Sequence, residues 1–256
     1  MKKCKLCLNR EADKPNSHII SKFLGKRLFE SLPNRHSIQY SRITKNFIKK
    51  QDTPKEDFIL CKSCEKRLEI IETYFSRSLN ELFEFQKYPL KFQLDKIETQ
   101  EFLRCNLRPD LFTIFIYSLI WRSSISELEM FKDYKLPENV EEQLRLLLDT
   151  NLKLSQKEML NHSFLSITEF DAITCLIKPK EYNIENVGML IAYQNSPECY
   201  LLFISEFIIM FYPKSELSEI AHRHFKISEH STILIPLANT EQWNYLKKII
   251  FDKLTQ

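Results

Sequence analysis

Two Cys-x-x-Cys pairs, Cys4-Lys-Leu-Cys7 and Cys61-Lys-Ser-Cys64, stand 53 residues apart in the first part of the chain. Each pair delivers two thiolates from one tight turn, and four such ligands around one ion is the preference of structural zinc. The spacing therefore assigns a Zn2+ ion to Cys4, Cys7, Cys61 and Cys64. A four-thiolate site is coordinatively closed, so its value is geometric: it clamps distant segments and carries out no reaction itself. Cys105, Cys175 and Cys199 are isolated and read as ordinary buried thiols. Polar side chains crowd next to both pairs. Asn16-Ser17-His18-Ile19-Ile20 follows the first, and Glu65, Glu69 and Glu72 follow the second.

These residues need elements to hold them. Residues 18–20 read as a short strand, and 21–31 have helical spacing at Phe23, Leu24, Leu28 and Phe29. The stretch 33–57 is polar, basic and irregular, with a strand at 36–41. A helix over 65–86 would carry Leu68, Ile71, Phe75, Leu79, Leu82 and Phe83 on one side. Residues 87–150 read as mostly helical. One helix runs from Pro109 to Met130, apolar nearly all round and hence central. A second covers 138–149, with Glu138, Glu141 and Glu142 favoured by the positive end of the helix dipole. Short β-branched runs at 172–177, 187–193, 200–205, 207–212 and 232–236 read as strands, with a closing helix at 240–253. The fold class is α+β: an N-terminal treble-clef zinc module (1–86), a helical middle (87–155), and a small antiparallel sheet with helices (156–256).

Composition narrows the function. Only 2 Gly occur in 256 residues, which excludes Gly-rich phosphate loops and leaves positive-φ turns to Asn and Asp. Residues 1–78 hold 18 Lys and Arg against 9 Asp and Glu, while the remainder holds 19 against 25. A basic module on an acidic body points to a polyanion partner, nucleic acid above all; the bland alternative is a solvated basic surface. The opening MKKCKLCLNR has no apolar signal core, and the apolar run at 199–212 is too short for a bilayer and carries Glu206. A cytoplasmic protein with no membrane partner is expected, and seven cysteines there are not a disulfide framework.

The two cysteine pairs, Ser17-His18-Ile19-Ile20 and Leu60-Cys61-Lys-Ser-Cys64-Glu65 together resemble the zinc-stabilised HNH, or ββα-metal, endonucleases. They are still more similar to a set of uncharacterised bacterial proteins. Those carry Ser-His-Ile-Ile-Pro-x-Phe, Leu-Cys-x-x-Cys-Glu, a further Glu seven residues on, and a later Trp-Arg pair, here Trp121-Arg122. The resemblance spans roughly residues 1–130 and is specific over the first 75. It implies a nuclease that hydrolyses phosphodiesters of DNA or RNA, with His18 as general base and one hard divalent cation, Mg2+ or Mn2+, at the phosphate. It implies candidate ligands Glu65, Glu69 and Glu72, which lie at i, i+4 and i+7 of one helix. Lys22, Lys26, Arg27, Lys45, Lys49 and Lys50 would neutralise backbone phosphates. A bacterial anti-phage or mobile-element setting goes with it.

The chain departs from the nuclease pattern where it matters most. Ser17 replaces the acid that binds the catalytic metal, Ser21 replaces a proline, and Glu65 replaces Asn or His. The metal site is then either rebuilt from the three glutamates, with Asp13 or Asn16 as a further oxygen donor, or lost. If it is lost, the module grips nucleic acid or protein without cutting. Residues 156–256 would serve a regulatory or protein-binding part. Glu69 and Glu72 also read as a solvated face, and Trp121-Arg122 as packing on a buried helix. His222 and His224 sit two apart, on different sides of any helix, and are discounted.

Overall fold

The fold is drawn from a computed structural model. It describes residues 2–30, 37–41, 46–82, 85–162, 170–177, 189–213 and 232–239, with 241, 242, 244–246 and 248. The chain opens with a loop that carries the first cysteine pair. β1 (Ser17–His18) follows, then α1 (Lys22–Glu30) and a separate two-stranded ribbon of β2 (Ser37–Ser41) and β3 (Asn46–Lys50). β4 (Lys55–Glu56) returns to pair antiparallel with β1, setting Ser17 opposite Glu56 and His18 opposite Lys55. α2 (Lys62–Leu82) leaves directly after Cys61, with Leu68, Ile71, Phe75, Leu79 and Leu82 buried as the spacing predicts.

A hairpin of β5 (Phe92–Ile97) and β6 (Gln100–Cys105) comes next, then α3 (Pro109–Ile125), α4 (Glu138–Asn151) and the short α5 (Gln156–Asn161). β7 (Asp171–Ile177), β8 (Met189–Ser196), β9 (Cys199–Ser205), β10 (Phe207–Tyr212) and β11 (Ile233–Ala238) complete the described strands. They form one seven-stranded sheet in the order β5-β6-β11-β7-β10-β9-β8, antiparallel throughout except for the β11–β7 pair. α3 is the axis of the molecule. Every residue from Leu111 to Ile125 is buried, and Phe75 of α2 stacks on its Phe115 at 5.2 Å between ring centroids. Pro109 suits the first helical position because its missing N–H would have no partner there.

The mixed helix-and-sheet class is as expected, with the cysteine cluster first, helices next and antiparallel strands at the end. Four details differ. α3 stops at Ile125, short of the expected Met130. The region expected to be helical opens with β5–β6, and β6 pairs with β11 some 130 residues later, so the sheet is larger than a C-terminal segment could build alone. β3 lies inside a stretch read as irregular. Positive φ falls on Leu8, Asn16, Phe58, Glu98 and Ser205, of which Asn16 alone is of the expected type. The closing helix at 240–253 falls largely outside the described residues. No helix among the described residues is long and apolar enough to cross a membrane.

Candidate metal centre and the His18 cleft

The first knuckle is made by backbone bonds alone. Cys4 N donates to Arg10 O (2.8 Å), Leu8 N returns to Cys4 O (3.0 Å), and Leu8 turns the chain with φ 57°. Lys5 N donates to Ile59 O (2.9 Å) and Lys14 N to Leu60 O (3.1 Å), so the knuckle is sewn to the segment that leads into the second pair. Cys61 and Cys64 occupy the head of α2, whose open N–H at Lys62 is capped from a distance by Asp13 Oδ1 at 2.8 Å. The result is four sulfurs within 4.8 Å of one another, with Cys7 Sγ 4.0 Å from Cys61 Sγ. Tetrahedral Zn–S bonds of about 2.3 Å would separate the sulfurs by about 3.8 Å, so a small contraction closes the site.

The electrostatics of this cluster favour a cation. The Cys64 thiol bonds to Cys4 and pushes it down to about 4, while Cys64 is driven up by that same bond and then by burial. One thiolate forms readily at Cys4, while burial and the neighbouring thiols hold Cys61 and Cys64 protonated until a positive ion balances the crowding. Four cysteines close together can thus hold a metal ion. Among the described residues they are the one cluster of three or more His, Cys, Asp or Glu ligand atoms close enough to do so. Two arginines that the sequence did not single out brace it. Arg67 places Nη1 3.8 Å from Cys64 Sγ and 2.7 Å from Asp149 Oδ1, and Arg145 of α4 donates to Leu6 O at 2.7 Å.

The His18 cleft is the corner where the His18 carbonyl of β1, Glu72 of α2 and Arg122 of α3 meet. The His18 side chain is 25% exposed, its Nε2 makes no hydrogen bond, and Asp52 Oδ1 stands 4.0 Å away. Burial lowers the His18 pKa, with Lys55 and Arg122 in the same direction and Asp52 and Glu72 opposing, so the ring is neutral at neutral pH. Glu65 is shifted the other way, raised chiefly by burial with Arg122 acting against it. Its Oε2 is buried without a partner, and so is the Ser17 hydroxyl, which approaches Glu65 without forming a well-made bond.

Arg122 organises this corner. It is 1% exposed. Its Nη1 donates to the His18 carbonyl (2.8 Å), its Nη2 pairs with Glu72 Oε1 (2.7 Å) and reaches Ser21 Oγ (3.4 Å), and its Nε returns to Ser118 O (3.2 Å). Ser21 in turn donates to Glu72 Oε1 at 2.7 Å, a bond no proline at that position could make. A strap at 52–54 closes the other side. Pro54 O accepts from Ile19 N (2.9 Å), and Thr53 lies so close to Gly25 that a Cβ there would meet Thr53 Cγ2 at 1.9 Å.

Several expected residues do not reach the cleft. Glu69 is exposed, because three residues of helix rotate it roughly 60° from Glu72, away from the buried side. Glu72 is present but committed to Arg122. Asp13 is a helix cap, and Asn16 uses its N–H on Asp57 Oδ1 (2.7 Å). Lys22, Lys49 and Lys50 are exposed. The side chains of Lys26 and Arg27, and all of Lys45, His222 and His224, lie outside the described residues. The reading of Trp121-Arg122 as buried packing holds for both, each 1% exposed, and Arg122 adds a set of internal polar bonds that packing alone does not imply. A lone arginine in an otherwise apolar helix was the available signal. Comparison with known proteins gives no match to a family model, a curated protein or a solved structure.

Proposed function

We propose that this chain is a zinc-anchored, HNH-like nuclease that hydrolyses nucleic-acid phosphodiesters, DNA in preference to RNA. The observation that supports the reading is His18: a neutral imidazole within a basic module, with a buried, unbonded Nε2 and its own backbone pinned by Arg122. Zn2+ on Cys4, Cys7, Cys61 and Cys64 holds the first knuckle against the head of α2. His18 Nε2 takes a proton from water, the hydroxide attacks phosphorus, and the ester oxygen departs with a proton from solvent. Glu65 Oε2 and the Ser17 hydroxyl are the groups that would hold Mg2+ or Mn2+. That ion supplies positive charge at the phosphate, and one carboxylate suffices where substrate oxygens complete the shell. Lys22, Lys49 and Lys50 are the exposed cations available to flanking phosphates. Cytoplasmic location, a bacterial anti-phage or mobile-element setting, and a partner-binding role for the C-terminal sheet belong to the same reading and rest on family analogy alone.

A non-catalytic binding module is the second reading, favoured by the Glu72–Arg122 pair and the exposed Glu69, which leave one free carboxylate in the cleft. Plasmid cleavage with Mg2+ or Mn2+ separates the two. The nuclease reading expects nicking or linearisation by the wild type and a loss of about 100-fold or more in His18→Ala. Salt-sensitive DNA binding without cleavage under either ion favours the binding module.

A further inference from the structure

The most deeply buried charge near the cleft is not a candidate ligand but Arg122, which the proposed chemistry uses only through the His18 main chain. Its guanidinium spans three elements: the His18 carbonyl of β1, Ser21 at the head of α1, and Glu72 on α2. Its Nε is held by Ser118 of its own helix, and the side chain is 1% exposed. Such a group cannot touch a nucleic-acid backbone. It sits where a cation draws β1 and the Glu72 carboxylate together, paired with Glu72 Oε1 at 2.7 Å.

We infer that Arg122 is the positioning residue of this cleft, a built-in cation that fixes the His18 main chain and, by occupying Glu72, keeps a divalent ion from settling there until a phosphate brings it. The role in turnover rests on the nuclease reading; the role in ion binding does not. The planar fork matters, since separate N–H groups serve the carbonyl and the carboxylate at once, and a lysine ammonium offers one point of charge instead. With Glu72 occupied and Glu69 exposed, Glu65 is left as the free carboxylate next to Ser17, too few charges for a resident Mn2+. Substrate phosphate must supply the remaining oxygens.

The test uses the zinc-loaded full chain and Mn2+ alone, followed through the electron paramagnetic resonance of free Mn2+. Wild type is expected to take up no stoichiometric Mn2+ without a nucleic acid, and to gain a site when a short DNA duplex is added. Arg122→Met uncovers Glu72 beside Glu65 and is expected to gain one Mn2+ per chain, lost again in Arg122→Met/Glu72→Gln. If plasmid cleavage is measurable, Arg122→Lys keeps the charge but not the fork, so kcat falls about 100-fold with KM little changed. Stoichiometric Mn2+ on the wild type alone overturns the inference, as does a folded Arg122→Met that binds no more Mn2+ than wild type, or an Arg122→Lys with unaltered kcat. Should Arg122→Met fail to fold by circular dichroism and zinc content, the wild-type arm with and without duplex still decides. Absence of cleavage sinks the nuclease reading and leaves the Mn2+ arms standing.

Discussion

Single side chains in this protein are defined by what they fail to bond as much as by what they bond. His18 Nε2, Glu65 Oε2 and Ser17 Oγ are buried without a hydrogen-bond partner, while Glu72 Oε1 is shared by Arg122 and Ser21. Burial first, and Lys55 next, hold the His18 pKa below its ordinary 6.5. The sign of the linkage follows. Above pH 6.5 both folded and unfolded chains carry neutral His18. Between the folded value and 6.5 the unfolded chain binds a proton that the folded chain refuses, so stability falls as pH falls through that window, then levels off. Urea midpoints measured on either side of pH 6.5 should therefore drop on the acid side in wild type and drop less in His18→Asn. Equal slopes in the two proteins would show that His18 is not the group responsible.

Elements here are set against one another by a few close approaches. The strap at 52–54 delivers Asp52 to within 4.0 Å of His18, and it can lie that low because Gly25 has no side chain. Gly25→Ala should cost about 2 kcal/mol by overpacking, seen as a lower denaturant midpoint at unchanged m-value. Thr53→Ser removes Cγ2 and leaves Cβ at 3.4 Å from the new methyl, so Gly25→Ala/Thr53→Ser should regain most of that loss. Additive losses in the double variant would mean that the clash is relieved some other way. The knuckle shows the opposite economy. Leu8 and Phe58 adopt left-handed backbone at φ 57° and 55° in a chain that hardly uses glycine, and the hydrogen bonds around them hold the strain in place.

At the scale of the molecule, the cysteine centre and the helical body are joined directly. Lys5 Nζ donates to Ile125 O at the end of α3 (2.8 Å), Arg145 of α4 to Leu6 O, and Ser126 to Glu56 Oε2 (2.7 Å). Loss of metal should therefore be felt well beyond the knuckles. With zinc as the proposed ion, chelation is expected to lower Tm by on the order of 10 °C or more, reversibly on adding Zn2+, and Cys61→Ser should mimic it. A chelated protein that melts unchanged would remove the ion from the account of the fold. The sequence by itself determined the cysteine ligand set, the buried face of α2, the central α3 and the C-terminal strands, because each rests on periodicity or spacing within one short window. It could not see the β5–β6 hairpin, whose burial comes from β11 far along the chain, nor that the Ser21 hydroxyl donates to Glu72. Which carboxylates stay free was likewise decided in three dimensions. Glu65, Glu69 and Glu72 look alike on one helix, and only the arrival of Arg122 from α3 makes Glu72 a partner, leaves Glu65 unpaired, and gives His18 a fixed place.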